Sequence, residues 1–142
     1  MSTVDSEARN RLSWMWVFVG LSMLFADVFS FISPGFLGEV MDGKAGGIAI
    51  TPLFLLLAAI ITAIPIAMVV LSQVLPRRAA RWANVVVGVA TVAYVWGAGA
   101  LDLPHYVFFA SLETLACLNV AWSAWRWRSA NAPAPARQLA PA

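Results

Sequence analysis

The chain alternates between long apolar stretches and short polar segments. At about 1.5 Å of rise per residue, roughly 20 helical residues cross the ~30 Å hydrocarbon core of a bilayer. Four stretches reach this length, and we predict membrane-spanning helices over about 12–32, 52–75, 82–100 and 104–125. Short connections make consecutive helices antiparallel. The pattern therefore predicts an all-α polytopic membrane protein, a four-transmembrane-helix antiparallel bundle over residues 12–127.

The segments between the predicted helices carry residues that begin or interrupt helices. Residues 33–50 are rich in glycine and carry charged side chains, so we expect a loop there. Thr51 before Pro52 is typical of a helix N-cap followed by the first helical residue. Pro65 inside the second predicted helix removes one backbone hydrogen bond, which predicts a kink.

Basic side chains are distributed unequally around the predicted helices. Eight of the nine lie beside one set of helix ends, namely Arg9, Arg11, Arg77, Arg78, Arg81, Arg126, Arg128 and Arg137. Lys44 alone lies at the other ends. Lys and Arg accumulate on the cytoplasmic side of short loops. We therefore predict that an N-terminal segment over residues 1–11 and a disordered tail over residues 128–142 both lie in the cytoplasm.

The start of the chain allows one alternative. A basic start, an apolar run and Leu24-Phe25-Ala26 are also features of a cleavable signal peptide. The apolar run continues past Ala26 and lacks a small-x-small cleavage site, which favours a retained helix. Cleavage would leave three spans.

The composition excludes a soluble domain. Of 142 residues, 61% are hydrophobic and 11% are charged, whereas soluble domains carry roughly 25% charged residues. The net charge of +2 comes from arginines beside apolar stretches, so the expected partner is the lipid bilayer and not nucleic acid. Cys117 is the only cysteine, which excludes an intrachain disulfide and a multi-cysteine metal site. We expect no cofactor and no bound metal.

Two acidic residues, Asp27 and Glu113, lie inside predicted spans. A charge in hydrocarbon costs roughly 2.5 to 3.5 kcal/mol even on lenient scales, so such residues normally face the bundle interior. Both are expected in the outer half of the bilayer, about 8 Å and about 13 Å from the outer helix ends. One hypothesis is a proton or ligand site between the first and fourth helices. The alternative is internal hydrogen bonding that holds the helices together. Its candidate partners are Ser22, Thr91, Tyr94 and Ser111.

Tyr94 and His105 complete the candidate site. Tyr94 lies on the third predicted helix, and we expect its side chain near the two acids. His105 is the only histidine and begins the fourth helix at its outer end. Because histidine titrates near neutral pH, it suits proton entry or pH sensing, although an interfacial structural role is the alternative. No zinc spacing, phosphate-binding loop or Ser-His-Asp order occurs, so we assign no catalytic residue.

Three short motifs support a family resemblance: Trp14-x-Trp16, Phe25-Ala26-Asp27 and Pro34-Gly35-Phe36. With these motifs the chain resembles small bacterial inner-membrane proteins that form a family of unknown function. That resemblance implies a bacterial inner membrane and no established activity. The four-helix layout is also similar to that of DoxX-like membrane proteins. Small multidrug-resistance transporters likewise carry an acid in their first helix, but they use glutamate in a shorter chain.

Three functional hypotheses follow. The first is a non-enzymatic structural or accessory component of the inner membrane, acting with a second copy of the chain or with a membrane partner protein. The second is a small proton-coupled transporter or channel that uses Asp27 and Glu113. The third is a quinone-linked membrane redox component. The sequence ranks them in this order, because no catalytic constellation is present.

Overall fold

The computed structural model describes residues 3–127 and consists of helices with one small pair of strands. In chain order the elements are α1 (Thr3–Phe31), α2 (Phe36–Met41), β1 (Lys44–Ala45), β2 (Ile48–Ala49), α3 (Pro52–Val74), α4 (Arg77–Ala98) and α5 (Pro104–Arg126). Residues 1–2 and the tail over 128–142, for which we predicted disorder, lie outside the described residues.

The four long helices α1, α3, α4 and α5 are each long and apolar enough to cross a membrane. Helix α1 packs against α3 and α5, and α4 packs against α5 and, less extensively, against α3. Their outward faces carry exposed apolar side chains such as Leu53, Val86 and Leu115, which suit contact with lipid acyl chains. The all-α, four-helix membrane fold predicted from the sequence is confirmed.

Helices α1 and α4 begin at one end of the bundle, which we call the inner end, and finish at the opposite, outer end. They start at Thr3 and Arg77, earlier than the predicted spans at 12 and 82. Polar contacts hold these extra turns in place. The indole nitrogen of Trp127 donates to Asp5 at 2.9 Å, and Arg77 donates to the Trp127 carbonyl at 2.6 Å. The helices therefore continue beyond the apolar stretches because their charged ends have partners.

The inner half of the bundle contains the main apolar core. Its buried members are Leu12, Trp16, Val19, Met68, Ala80, Cys117, Val120, Ala124 and Trp127. A buried polar network crosses this core. Asn84 accepts from the Trp16 indole at 2.7 Å and from the Ser72 hydroxyl at 3.2 Å, and it donates to the Ala80 carbonyl at 2.8 Å. Three helices are thus joined at one satisfied amide.

Arg9 joins α1 to the end of α3. Its guanidinium donates to the carbonyls of Ser72, Gln73 and Leu75 at 3.3, 2.7 and 2.8 Å. The last carbonyls of a helix have no partner within the helix, and a positive charge there also favours the helix dipole. The inner end is therefore tightly connected.

Helix α3 is much less covered toward the outer end. Its buried residues are Pro65, Met68 and Ser72, and the half from Pro52 to Ile64 has none. Because α3 contributes little packing there, the outer half of the bundle leaves space between α3 and its neighbours. That space contains the candidate site.

The segment predicted to be a loop is more ordered than its glycine content suggested. It contains the short helix α2 and the antiparallel pair β1 and β2. Gly46 and Gly47 form the connecting turn with φ of 56° and 76°, a region that glycine enters without strain. Glu39 accepts from the Gly46 amide at 3.1 Å. Thr51 caps α3 as predicted, since its hydroxyl accepts from the Phe54 amide at 3.1 Å.

Candidate functional site

Side chains from all four long helices meet at a small polar space in the outer half, which we call the acidic cavity. Its volume is about 40 Å³, enough for a few water molecules. The lining residues are Met23, Ala26, Asp27, Thr62, Tyr94, Val95, Tyr106 and Glu113. Three of the four residues that the sequence singled out, Asp27, Tyr94 and Glu113, therefore share one cavity.

Glu113 is the buried acid of this cavity. Helix α5 buries Ala110, Glu113 and Cys117 at spacings of three and four residues, which places the three on one face. Glu113 is only 2% exposed, and its Oε1 atom has no hydrogen-bond partner among the described residues. Leaving a buried polar atom unsatisfied costs about 1–3 kcal/mol. Within residues 3–127 the fold thus leaves this carboxyl oxygen available to a proton, a water molecule or a ligand in the cavity.

Asp27 forms the open side of the cavity. Its side chain is exposed while still lining the acidic cavity, and it lies about one helical turn, ~6 Å, before the end of α1. It forms no hydrogen bond with any residue between 3 and 127. Asp27 is therefore a second carboxyl with free acceptor positions, beside the first.

The internal hydrogen bonds expected from a purely structural role of the two acids are not formed within the described part of the chain. Neither Asp27 nor Glu113 bonds to Ser22, Thr91, Tyr94 or Ser111. The Ser111 hydroxyl instead donates to the Val107 carbonyl of its own helix at 2.8 Å. Hydrogen bonding to these side chains therefore does not explain why Glu113 is buried.

Tyr106 is fixed against the third membrane helix. Its hydroxyl donates to the Val95 carbonyl at 3.0 Å, one of the last carbonyls of α4, which lack partners within the helix. The ring lies against Gly99 so closely that a Cβ atom at that glycine would overlap it. The absence of a side chain at Gly99 thus permits Tyr106 to line the acidic cavity.

His105 does not line the acidic cavity. Its Nε2 atom lies 3.3 Å from the Ser30 hydroxyl, and its ring centroid lies 6.1 Å from that of Phe29. Ser30 already donates its single hydrogen to the Ala26 carbonyl at 2.8 Å, so in this contact the imidazole is the donor. Ser30 thus lies between His105 and Ala26, a residue of the cavity lining, and Tyr106, the next residue in the chain, is another.

The lining of the acidic cavity determines which charges it can hold. The lining contains two carboxyls and two phenols but no basic side chain. Two negative charges in so small a space repel each other, so a proton or another single positive charge stabilises the pair. No cluster of three or more His, Cys, Asp or Glu side chains occurs in residues 3–127. The two carboxyls can therefore bind a proton or another small cation.

Sequence reasoning missed Tyr106 and Thr62 as members of the site. Tyr106 lies seven residues before Glu113, about two helical turns, so the helical period alone would have placed the two on one face. No sequence pattern marks Thr62, because its approach to the cavity depends on how α3 packs against α1 and α4.

These features define a polytopic membrane protein with two carboxyls at a cavity between its helices. The chain belongs to a family of unknown function, DUF6326, whose family model matches residues 2–133. The comparison with curated proteins found no match, and neither did the comparison with solved structures. The predicted membership of a family of unknown function is confirmed, and the DoxX-like layout stays a prediction.

Proposed function

We propose that this protein is a small proton-coupled transporter of the membrane, in which Asp27 and Glu113 bind and release the coupling proton. The observation that carries the proposal is the buried Oε1 atom of Glu113, which has no partner in the described residues and faces a cavity shared with Asp27. Intramembrane acids that face a cavity are typical of proton pathways. The remaining candidate, His105, lies in the first turn of α5 at the outer end of the bundle and does not line the cavity.

This proposal reverses the order of the two leading hypotheses from the sequence. An acid kept for helix packing should have hydrogen-bond partners, because an unsatisfied buried group destabilises the bundle. The buried amide of Asn84 follows that rule with three hydrogen bonds, and Glu113 does not. The accessory role remains the competing hypothesis, and no residue contact favours the quinone-linked one.

Proton binding at the two acids is tested in the full chain in lipid nanodiscs. Infrared difference spectra between acidic and alkaline buffer should contain a carboxylic acid band that shifts in deuterium oxide. Exposed acids also protonate in acidic buffer, so we expect Glu113→Gln to remove one component of that band, that of the buried carboxyl, and Asp27→Asn to change the same component. Glu39→Gln is the matched control, because Glu39 is exposed in the outer loop and does not line the cavity.

Coupling is tested in liposomes that contain a pH-sensitive dye. With a proton gradient imposed, addition of a counter-cation from a panel of Na⁺, K⁺ and organic ammonium ions should dissipate the gradient faster than in empty vesicles. Glu113→Gln should abolish the difference, and Glu39→Gln should retain it. An unchanged infrared band in Glu113→Gln, or no flux above empty vesicles for every cation, would overturn the proposal.

We also propose the bacterial inner membrane as the location, with both termini in the cytoplasm and with a second copy or a partner protein in the assembly. The arginines at the inner end support this orientation. A reporter that is active only in the cytoplasm, fused after the C-terminus, should be active. A periplasmic reporter that is active at the same position would contradict the orientation.

A further inference from the structure

A second, apolar cavity of about 270 Å³ lies between α1, α3 and α4, and we call it the apolar cavity. Its walls include Ile61, Ile64, Pro65, Val86 and Ala90. Met23 and Tyr94 line both this space and the acidic cavity, so the two cavities share a wall. The two cavities are therefore direct neighbours, separated by these two side chains.

The apolar cavity is accessible from the lipid-facing side. Two of its wall residues, Ile64 and Val86, are 43% and 60% exposed, and the adjoining half of α3 has no buried residue. An exposed apolar surface at membrane depth contacts acyl chains. A ligand that enters here comes from the bilayer, so it must itself be lipophilic.

The acidic cavity restricts the polar group of that ligand. Asp27 and Glu113 offer acceptors without a basic partner in the lining, and the volume of about 40 Å³ admits only a small group. The phenol rings of Tyr94 and Tyr106 add faces that attract cations. A compact ammonium group satisfies all three conditions, whereas a phosphate or carboxylate group would meet like charge.

We propose that the two cavities together bind a lipophilic amine in its ammonium form, taken up from the bilayer. This inference rests on the proposed function and names its substrate class. The ammonium N–H groups donate to the unpaired Oε1 of Glu113 and to Asp27, while the apolar body lies along Ile64, Val86 and Ala90. Because a protonated carboxyl must lose its proton to receive the ammonium, each bound cation displaces one proton, and the charge of the site is conserved.

The probe for this proposal is 4-phenylbutylamine, with 4-phenylbutanol as the neutral analogue of the same shape. Binding is measured by titration calorimetry on the full chain in nanodiscs, with protein-free nanodiscs subtracted to remove partitioning into lipid. We expect the amine to bind at least about tenfold more tightly than the alcohol, because only the ammonium group can pair with a buried carboxylate. The titration is then repeated in buffers of different ionisation enthalpy, because the measured heat includes the heat of protonating the buffer. We expect this comparison to give one released proton per bound amine.

Variants separate the two cavities. Ala90 lines the apolar cavity but not the acidic one. Ala90→Phe should therefore fill the apolar cavity and weaken the binding of the amine at least about tenfold. The infrared carboxyl band should stay as in the wild type. Ala93→Phe is the matched control, because Ala93 is exposed on the same helix and lines neither cavity. Ala90→Leu replaces Ala90→Phe if thermal unfolding shows that the larger side chain disrupts the fold.

Equal binding of amine and alcohol, or unchanged amine binding in Ala90→Phe or in Glu113→Gln, would overturn the inference. Recovery of a bound quinone, with no amine binding, would also overturn it. If the carboxyl band titrates and vesicles exchange Na⁺ or K⁺ while the amine does not bind, the inference fails and the proposed function stands. If the band and all exchange are absent, both fail.

Discussion

Replacing Glu113 by methionine should stabilise the protein. Glu113 is 2% exposed, and its Oε1 atom has no partner among the described residues. An unsatisfied buried oxygen destabilises a fold by about 1–3 kcal/mol. Methionine has a similar length and adapts to irregular space, so Glu113→Met should recover a gain of that size while removing proton exchange. Such a trade between stability and activity is common at functional sites.

The matched comparison is Asn84→Leu, another exchange of a buried polar side chain for an apolar one. Asn84 makes three hydrogen bonds, to Trp16, Ser72 and Ala80. Interhelical hydrogen bonds in membrane proteins average ~0.6 kcal/mol, and the indole N–H left unpaired adds about 1–3 kcal/mol. The expected loss is therefore ~2–4 kcal/mol. The two substitutions should change stability in opposite directions.

Both variants can be compared by reversible unfolding of the full chain in mixed lipid and detergent micelles, as the fraction of sodium dodecyl sulfate rises. Tryptophan fluorescence reports the transition, since Trp16 and Trp127 are buried at the inner end. The midpoint should move up for Glu113→Met and down for Asn84→Leu. If Glu113→Met were destabilised as much as Asn84→Leu, Glu113 would be a packing residue, and the accessory hypothesis would take the place of the transporter.

Two further predictions concern contacts that position the helices. Gly99→Ala should push Tyr106 out of the acidic cavity and lower stability by about 1 kcal/mol or more in thermal unfolding, because one hydrogen bond is lost. Gly97→Ala is the control, and it should be neutral or stabilising because Gly97 has open space around it. Equal effects of the two substitutions would contradict the close contact between Gly99 and Tyr106. Arg9→Ala should lower the unfolding midpoint, because it removes the donor to the last carbonyls of α3, a contact worth about 1–2 kcal/mol. Arg78→Ala is the control, and it should leave the midpoint unchanged because Arg78 is exposed. Equal midpoints for the two variants would show that the Arg9 contact does not stabilise the fold.

Much of the site was predictable because helices have a fixed period and acids in hydrocarbon are rare. Asp27, Glu113 and Tyr94 could be singled out one at a time from their depth, and the structure brings them together. His105 is a candidate by residue type, but the side chains that it contacts are Ser30 and Phe29 and not the two acids. Chemical type identifies a candidate without determining its neighbours.

The outer loop illustrates another limit of the pattern. Glycines predict irregular backbone, yet Gly46 and Gly47 serve a turn between two short strands, closed by the carboxylate of Glu39. The same residues that break helices are required where a tight turn needs positive φ. Their count alone does not separate the two cases.

The sequence by itself determined the number of helices that are long and apolar enough to cross a membrane, and it placed both acids inside such helices. Both depend on the transfer of side chains from water to lipid and on rise per residue, which are local quantities. Only the tertiary structure decided that α3 is largely uncovered toward the outer end of the bundle and that the ring of Tyr106 packs against Gly99. It also decided that no residue between 3 and 127 bonds to the Oε1 atom of Glu113. These features depend on how distant helices pack, because lipid and a neighbouring helix are equally apolar and the hydrophobic pattern does not distinguish them.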